Sequence, residues 1–471
     1  MDKPPSQSHR RRIPAVPVFL AVLIAQLALV AVAGTDIPFQ DQWDIEGRWL
    51  YPAWLEGSLR WADLLRPFNE HRIVWTHLLN LALFAVNGQW DPLVQLTAIA
   101  FLRAACAAGL AWMVARGRTG WVRAAVAAAV VFAFLPHLAW HNALWGIESH
   151  AYFVLGLSLL AMALLGARDR SSRQTAGGML AGAAALVAMG PGVLVPVALL
   201  GLAVLRAWDS RGIDPTPGAS PWRQVWPAVA LLAAGGLLRV RVPEHAALSA
   251  ADASQFFTAA GRVLAWPHVG QPLAAIPMNL PLLALILARA RRWRKPAPGE
   301  DFVLLAAGWS VGVALATAWV RGGSEELIAG VPSRYVDFIV LLPLANVWCA
   351  AALAHEAARQ ARVRARILAA AWGLFLFVGW LGLSAETFRG VILPRARDRE
   401  APVRLIRAFQ LTGDAALFAG QPRLLVPHPN PESVRVVLLD PRMRGSLPPS
   451  LQPERPRGPL SRAVRALLGR Q

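Results

Sequence analysis

"RRRIPAVPVFLAVLIAQLALVAVAGTDIPFQDQWDIEGRW", residues 10–49, decides how the chain has to be read. Arginines lead into an apolar run over residues 13–33, close to the ~20 residues that a helix needs to cross a bilayer. A basic cluster followed by an apolar run also resembles a secretory signal. This run is long, however, and many more follow, so it is expected to stay in place as a first membrane helix. Directly after it, "PFQDQWDIEGRW" (38–49) gathers three carboxylates, two tryptophans and an arginine. A greasy chain has to have a reason to concentrate charge there.

Further apolar runs fall near 93–115, 121–139, 151–167, 176–190, 193–207, 225–240, 271–289, 302–320, 335–353 and 367–385. The expected fold is therefore an all-α polytopic membrane protein of about 11 transmembrane helices. Both cysteines, Cys106 and Cys349, lie inside apolar runs, which excludes a disulfide framework and a thiolate metal site. The net charge of +19 does not call for nucleic acid, because the cations cluster in short loops between spans, where the positive-inside bias accounts for them.

That bias sets the topology. "RGRTGWVR", "RDRSSR", the 206–223 loop, "RARRWRK" and "RQARVRAR" hold 18 Lys and Arg and are expected in the cytoplasm. The expected location is the plasma (bacterial inner) membrane, with the N-terminus cytoplasmic and the C-terminus extracytoplasmic. Segment 73–86 would break this parity if it spanned. Its polar residues Arg72, Thr76, His77, Asn80 and Asn87 recur at helical spacing, so it is expected as an interfacial helix with a wet polar stripe, Leu78, Leu79, Leu81 and Phe84 facing lipid. Gly190-Pro191-Gly192 reads as a hairpin turn.

Every polar, base-poor segment then falls outside: 34–92, 140–150, 241–270, 321–335 and the chain after 386. Residues 1–386 form the expected transmembrane domain, with 34–92 as its first outer loop. Residues 387–471 form a small extracytoplasmic region: a helix over 401–418, turns around one short strand within 426–450, and disorder beyond Pro453.

A long acidic outer loop after the first helix, with Asp41 and Asp44 in "FQDQWD", "FNEHRI" (68–73) and "PSRY" (332–335), resembles the GT-C superfamily of integral membrane glycosyltransferases. The family's loop usually carries two adjacent acids, whereas here Gln42 follows Asp41. The resemblance implies transfer of a sugar from a polyprenyl-phosphate carrier to an acceptor hydroxyl on a glycan, lipid or protein, with membrane lipid as surroundings and no cofactor beyond the donor substrate. Such chemistry needs a carboxylate to take the acceptor proton and cations to hold the leaving phosphate. Asp41 is the expected base, ionised at neutral pH, and Asp44, one helical turn on, is expected to steer the acceptor.

Guanidiniums match phosphate oxygens in a two-pronged contact, which singles out Arg72, Arg321 and Arg334, with Arg239 and Arg241 as further cations. Glu70, His71, Tyr335, Trp43, Trp145 and Glu148 complete the expected binding set. Glu70 is expected to pair with Arg72 at the start of the interfacial helix, or to present His71 to the phosphate. Glu325 or Glu326 could hold Arg334 instead. "NEHR" lacks the spacing of a metal site, and none is expected. Arg103, a charge inside the second span, is either functional or paired. The rival readings are a polymerase or ligase of lipid-linked glycans, or a non-enzymatic transporter or flippase of lipid-linked sugars.

Overall fold

The computed structural model describes residues 14–470 apart from 117, 119, 210–220 and 292–295. The leading arginines and parts of three arginine-rich loops lie outside the described residues. Among the described residues the chain is helical, with a single isolated bridge between Phe68 and His71 and no strand. Eight helical segments are long and apolar enough to cross a membrane: Ala15–Ala33, Pro92–Val114, Gly146–Leu165, Gly190–Trp208, Pro272–Ala290, Glu300–Arg321, Ser333–Glu356 and Arg362–Arg397. The chain is a multi-pass helical membrane protein. The other expected spans are occupied by shorter helices, Gly120–Ala133, Ser172–Leu186 and Pro221–Leu237, of 14, 15 and 17 residues.

Lipid tails are as apolar as leucine, so helices associate in a bilayer through close packing, which small residues permit. Ser172–Leu186 shows this on two sides. A Cβ on Gly178 would lie 2.6 Å from Leu165 Cγ, and one on Gly182 would lie 2.6 Å from Leu231 Cδ1. The Gly190-Pro191-Gly192 turn joins this helix to Leu194–Asp209 through a short 3-10 segment. Gly192 is required there, because a Cβ would sit 2.3 Å from the Ala185 carbonyl oxygen.

Arg103 is fully buried and paired. Its guanidinium lies 3.0 Å from Asp337 Oδ1, and it donates to Tyr152 Oη at 2.6 Å and to the Phe134 carbonyl at 3.1 Å. Tyr152 and Asn142 also donate to Asp337. Five segments meet at this one ion pair.

The helix Val74–Asn87 corrects the wet-stripe expectation. Thr76, His77, Asn80 and Asn87 are buried, and Leu81 and Phe84 face protein as well. Thr76 shares a 2.7 Å hydrogen bond with Ser149, His77 bonds the Leu64 carbonyl, and Asn80 donates to Glu46. Polar residues at helical spacing look the same whether water or buried partners satisfy them.

The C-terminal region differs from expectation in three places. Residues 401–418 form a helix, Ala401–Thr412, and a separate turn, Ala415–Phe418. Where a strand was expected there is a helix, Pro431–Leu439, capped by Asn430 accepting from Glu432 N. Where disorder was expected there is a helix, Pro459–Leu467. Its Ser461 bonds Asn87 and Asp91, and Arg465 joins Asp36, at 2.9 Å, to Asp91. Trp43, Leu50, Tyr51 and Trp90 of the first loop share one hydrophobic cluster with Val403, Ile406, Phe409, Val434 and Val437. The first loop and the C-terminal region are packed as one layer on a single face of the helical bundle.

Candidate functional site

A cavity of about 650 Å³ opens beneath this layer. Its walls come from the first loop (Gln40, Asp41, Glu70, His71), the segment before Ser149–Leu165 (Trp140, His141, Trp145, Glu148), the end of Glu300–Arg321 (Arg321) and the following turn (Arg334, Tyr335). Gln40 and Asn69, with φ of 50° and 48°, each precede a cavity carboxylate, Asp41 and Glu70. Left-handed backbone at non-glycine residues is strained and persists where the surroundings impose it. Both bends turn an acid into the cavity.

The acids sit in different settings. Burial, and after it the charges of Glu148 and Asp44, push the Asp41 carboxyl up to about 6. Glu148 lies 3.2 Å from both His141 Nδ1 and His150 Nε2. Glu70 pairs with Arg321 at 2.6 Å and touches His245. Against the pull of its own burial, those two partners hold Glu70 below the usual range. His71 is kept neutral by burial and by neighbouring His150, pushed down to about 4. Arg334 pairs with Glu326 at 2.5 Å, and Arg423 stands 3.7 Å from the same carboxylate.

Asp41 is positioned by a buried hub. Residues Trp43–Leu50 form a π-helical turn, a geometry common at functional sites. Its Glu46 is buried and accepts from Gln42, Gln95, Trp90 and Asn80 at 2.5–3.0 Å. Gln42 Oε1 in turn accepts from Phe39 N and, at 3.3 Å, from Gly146 N, while its Nε2 also donates to Gln95. The amide next to Asp41 therefore bolts the first loop to the segment bearing Trp145 and Glu148. A Cβ on Gly146 would lie 2.1 Å from Gln95 Oε1 and 2.7 Å from Gln42 Nε2. Gly146→Ala is expected to destabilise the chain by about 1–3 kcal/mol through overpacking. In thermal unfolding, Gly109→Ala, inside the helix Pro92–Val114 where a Cβ meets nothing within 4 Å, serves as the comparison that should not lower the midpoint.

A second cavity of about 410 Å³ lies alongside, sharing Glu70, His71, His245, Arg321 and Tyr335. Its other walls are mainly apolar, from Val193, Leu194, Val313 and Val320, with Arg239 and Arg241 at one side. Arg321 thus stands between a polar chamber and an apolar one.

No family model matches the chain, and neither a curated protein nor a solved structure matches it. The site has to be judged on its own geometry.

Of the residues expected at the site, the structure brings Asp41, Glu70, His71, Trp145, Glu148, Arg321, Arg334 and Tyr335 to one cavity. Three others lie elsewhere. Asp44 does not line the cavity; it accepts from His428 Nε2 at 3.0 Å and from Arg48, and the His428 bond is the main cause holding it below its usual range. Trp43 is fully buried against Trp90, its Nε1 donating to the Pro38 carbonyl. Arg72 donates to the Leu65 carbonyl and shapes its own loop. The expected Glu70–Arg72 pair is replaced by Glu70–Arg321, because Glu70 faces the cavity while Arg72 faces back. Asp41 is also less acidic than expected, since burial outweighs nearby cations.

Sequence reasoning missed Gln42, Gln95, His245 and His428. Only His428, bracketed by prolines in "VPHPNP", carried a local signal. Among the described residues no group of three or more His, Cys, Asp or Glu side chains is arranged to hold a metal ion.

Proposed function

We propose that the chain is a membrane glycosyltransferase of the GT-C kind, moving a sugar from a polyprenyl-phosphate carrier to an acceptor hydroxyl at the outer face of the plasma membrane. The observation that carries this reading is the joined pair of cavities: carboxylates in the polar one, apolar walls in the other, and Arg321 common to both. A sugar linked through phosphate to a prenyl chain has that sequence of chemistries.

In this reading Asp41 takes the proton of the acceptor hydroxyl as its oxygen bonds the anomeric carbon. The bond from that carbon to the carrier's phosphate oxygen breaks, and the electron pair leaves with the phosphate. Arg321 and Arg334 stabilise the charge that collects there. Each already holds a carboxylate, Glu70 or Glu326, so neither guanidinium has to be desolvated afresh when a donor arrives. Trp140 and Trp145 offer flat faces to a sugar ring.

Packing also supports eleven crossings. Residues 34–92 and the C-terminal region share a core and so lie on one face of the membrane. An even number of helices must then cross between them, yet seven of the eight long apolar helices fall in that interval. At least one shorter helix has to cross as well, and all three together restore an even count. The arginine-rich loops support a cytoplasmic location for the opposite face.

The test is transfer by reconstituted protein from a panel of polyprenyl-phosphate sugars, with donor binding measured separately. Arg321→Ala and Arg334→Ala should each weaken donor binding roughly tenfold or more, the scale of a lost charge-assisted hydrogen bond. Unchanged donor binding in both variants, or no transfer from any donor by the wild type, would sink the reading.

A further inference from the structure

Glu148 and Arg321 mark one end of the helices Ser149–Leu165 and Glu300–Arg321; their other ends border a different cavity, of about 670 Å³. A helix of 22 residues rises about 33 Å at 1.5 Å per residue, close to the hydrocarbon thickness of a bilayer. The two polar cavities therefore sit at opposite membrane surfaces.

The lining of this one is divided by chemistry. Arg116, Arg168 and Arg206 face a single lining carboxylate, Asp301, and the remaining wall includes Met113, Met162, Phe302 and Leu305. Arg206 is nearly buried, 2.7 Å from Asp301 Oδ2 and donating to the Gly166 carbonyl. Arg289 reaches Asp301 Oδ1 at 2.7 Å from the other side. Those two arginines already tie their helices to Glu300–Arg321 through Asp301. Arg168, half exposed, adds a third guanidinium to the same carboxylate at 3.1 Å. Arg116 lies over Trp112 and has no carboxylate partner among the described residues. The helix tie does not need either of these last two, and together they leave the cavity with unneutralised positive charge beside an apolar wall.

We propose that this cavity binds a phosphate-bearing anion, supplied as the head group of an anionic phospholipid in the adjoining leaflet. Arg116 and Arg168 grip the phosphate oxygens, and Met113, Met162, Phe302 and Leu305 pack against the glycerol and upper acyl carbons. Guanidiniums suit phosphate geometry, and basic pockets between membrane helices at one leaflet are a common setting for anionic head groups. The apolar wall favours a lipid over a soluble anion, which would leave that surface uncovered. This site is independent of the sugar-transfer reading, since it shares no residue with the cavities at the other surface.

The experiment uses the full chain in detergent, titrated with phosphatidylglycerol, phosphatidylcholine or inorganic phosphate, and follows bound lipid by native mass spectrometry and the thermal midpoint. Phosphatidylglycerol should be retained and raise the midpoint, with phosphatidylcholine inert. The double variant Arg116→Ala with Arg168→Ala should lose at least tenfold in apparent affinity. Arg206 and Arg289, which tie the helices, are left intact so that folding is preserved. A second double variant, Arg364→Ala with Arg366→Ala, removes exposed arginines elsewhere and should bind as the wild type does. Equal retention by the first double variant, or equal loss by the second, overturns the site. Inorganic phosphate raising the midpoint as much as phosphatidylglycerol, in an Arg116- and Arg168-dependent way, overturns the lipid source.

Discussion

Asp41→Asn is expected to stop sugar transfer and at the same time to raise the thermal midpoint of the chain at neutral pH. Loss of a positioned general base costs roughly 10²–10⁴ in turnover, and donor binding, which the proposal assigns to Arg321 and Arg334, should be retained. The stability gain follows from the direction of the Asp41 shift. Its carboxyl is raised from 3.8 to about 6 by burial and by Glu148 and Asp44, so the folded chain favours the protonated form. That favourable contribution is complete below about pH 4 and is lost as the pH rises through about 6. At pH 7 the ionised group is a burden on the fold, and the neutral amide removes it. Wild-type turnover should rise with pH across the same interval, because the base acts ionised. An Asn variant that transfers sugar at the wild-type rate ends the base assignment. One that is inactive but less stable than wild type at pH 7 makes Asp41 a structural residue instead.

Asp337→Ala is expected to be the most damaging substitution to stability, at about 3–5 kcal/mol, the usual cost of leaving one member of a buried ion pair alone. Arg103 would keep its bonds to Tyr152 and the Phe134 carbonyl but lose its only carboxylate among the described residues while staying fully buried. The double variant Arg103→Met with Asp337→Leu should recover most of that loss, since replacing both charges by apolar side chains of similar size is often neutral or better. Thermal unfolding in detergent decides it. If the double variant is as unstable as the single, the pair is not where the cost arises.

The apolar runs were legible because a membrane helix must satisfy its backbone internally, which leaves length and hydropathy as sufficient signals. The cavity carboxylates and arginines were legible in part, as charges crowded into segments flanking membrane helices. What could not be read was direction. Asp41 and Asp44 are three residues apart, yet the π-helical turn after Gln42 separates their environments, and a periodicity of 3.6 does not foresee it. Thr76, His77 and Asn80 announced a polar stripe but not that Ser149, Leu64 and Glu46 would satisfy it. The helix Pro459–Leu467 was hidden for a related reason. Its sequence is arginine-rich and weakly apolar, and it is held by Asp36 and Asp91, far away in the chain.

That last contact sets an order of events in biogenesis. Arg465 is 429 positions beyond Asp36, a lag of roughly 20 to 90 s at synthesis rates of 5–20 residues per second. Throughout that time Asp36 and Asp91, at the ends of two helices inserted early, wait without their counter-charge, and the hydrophobic layer over the cavity has only half its side chains. The hydrophobic layer is therefore complete only after the C-terminal region has been made. An unfinished copy would display Trp43 and Trp90 without the C-terminal side chains that cover them in the finished fold.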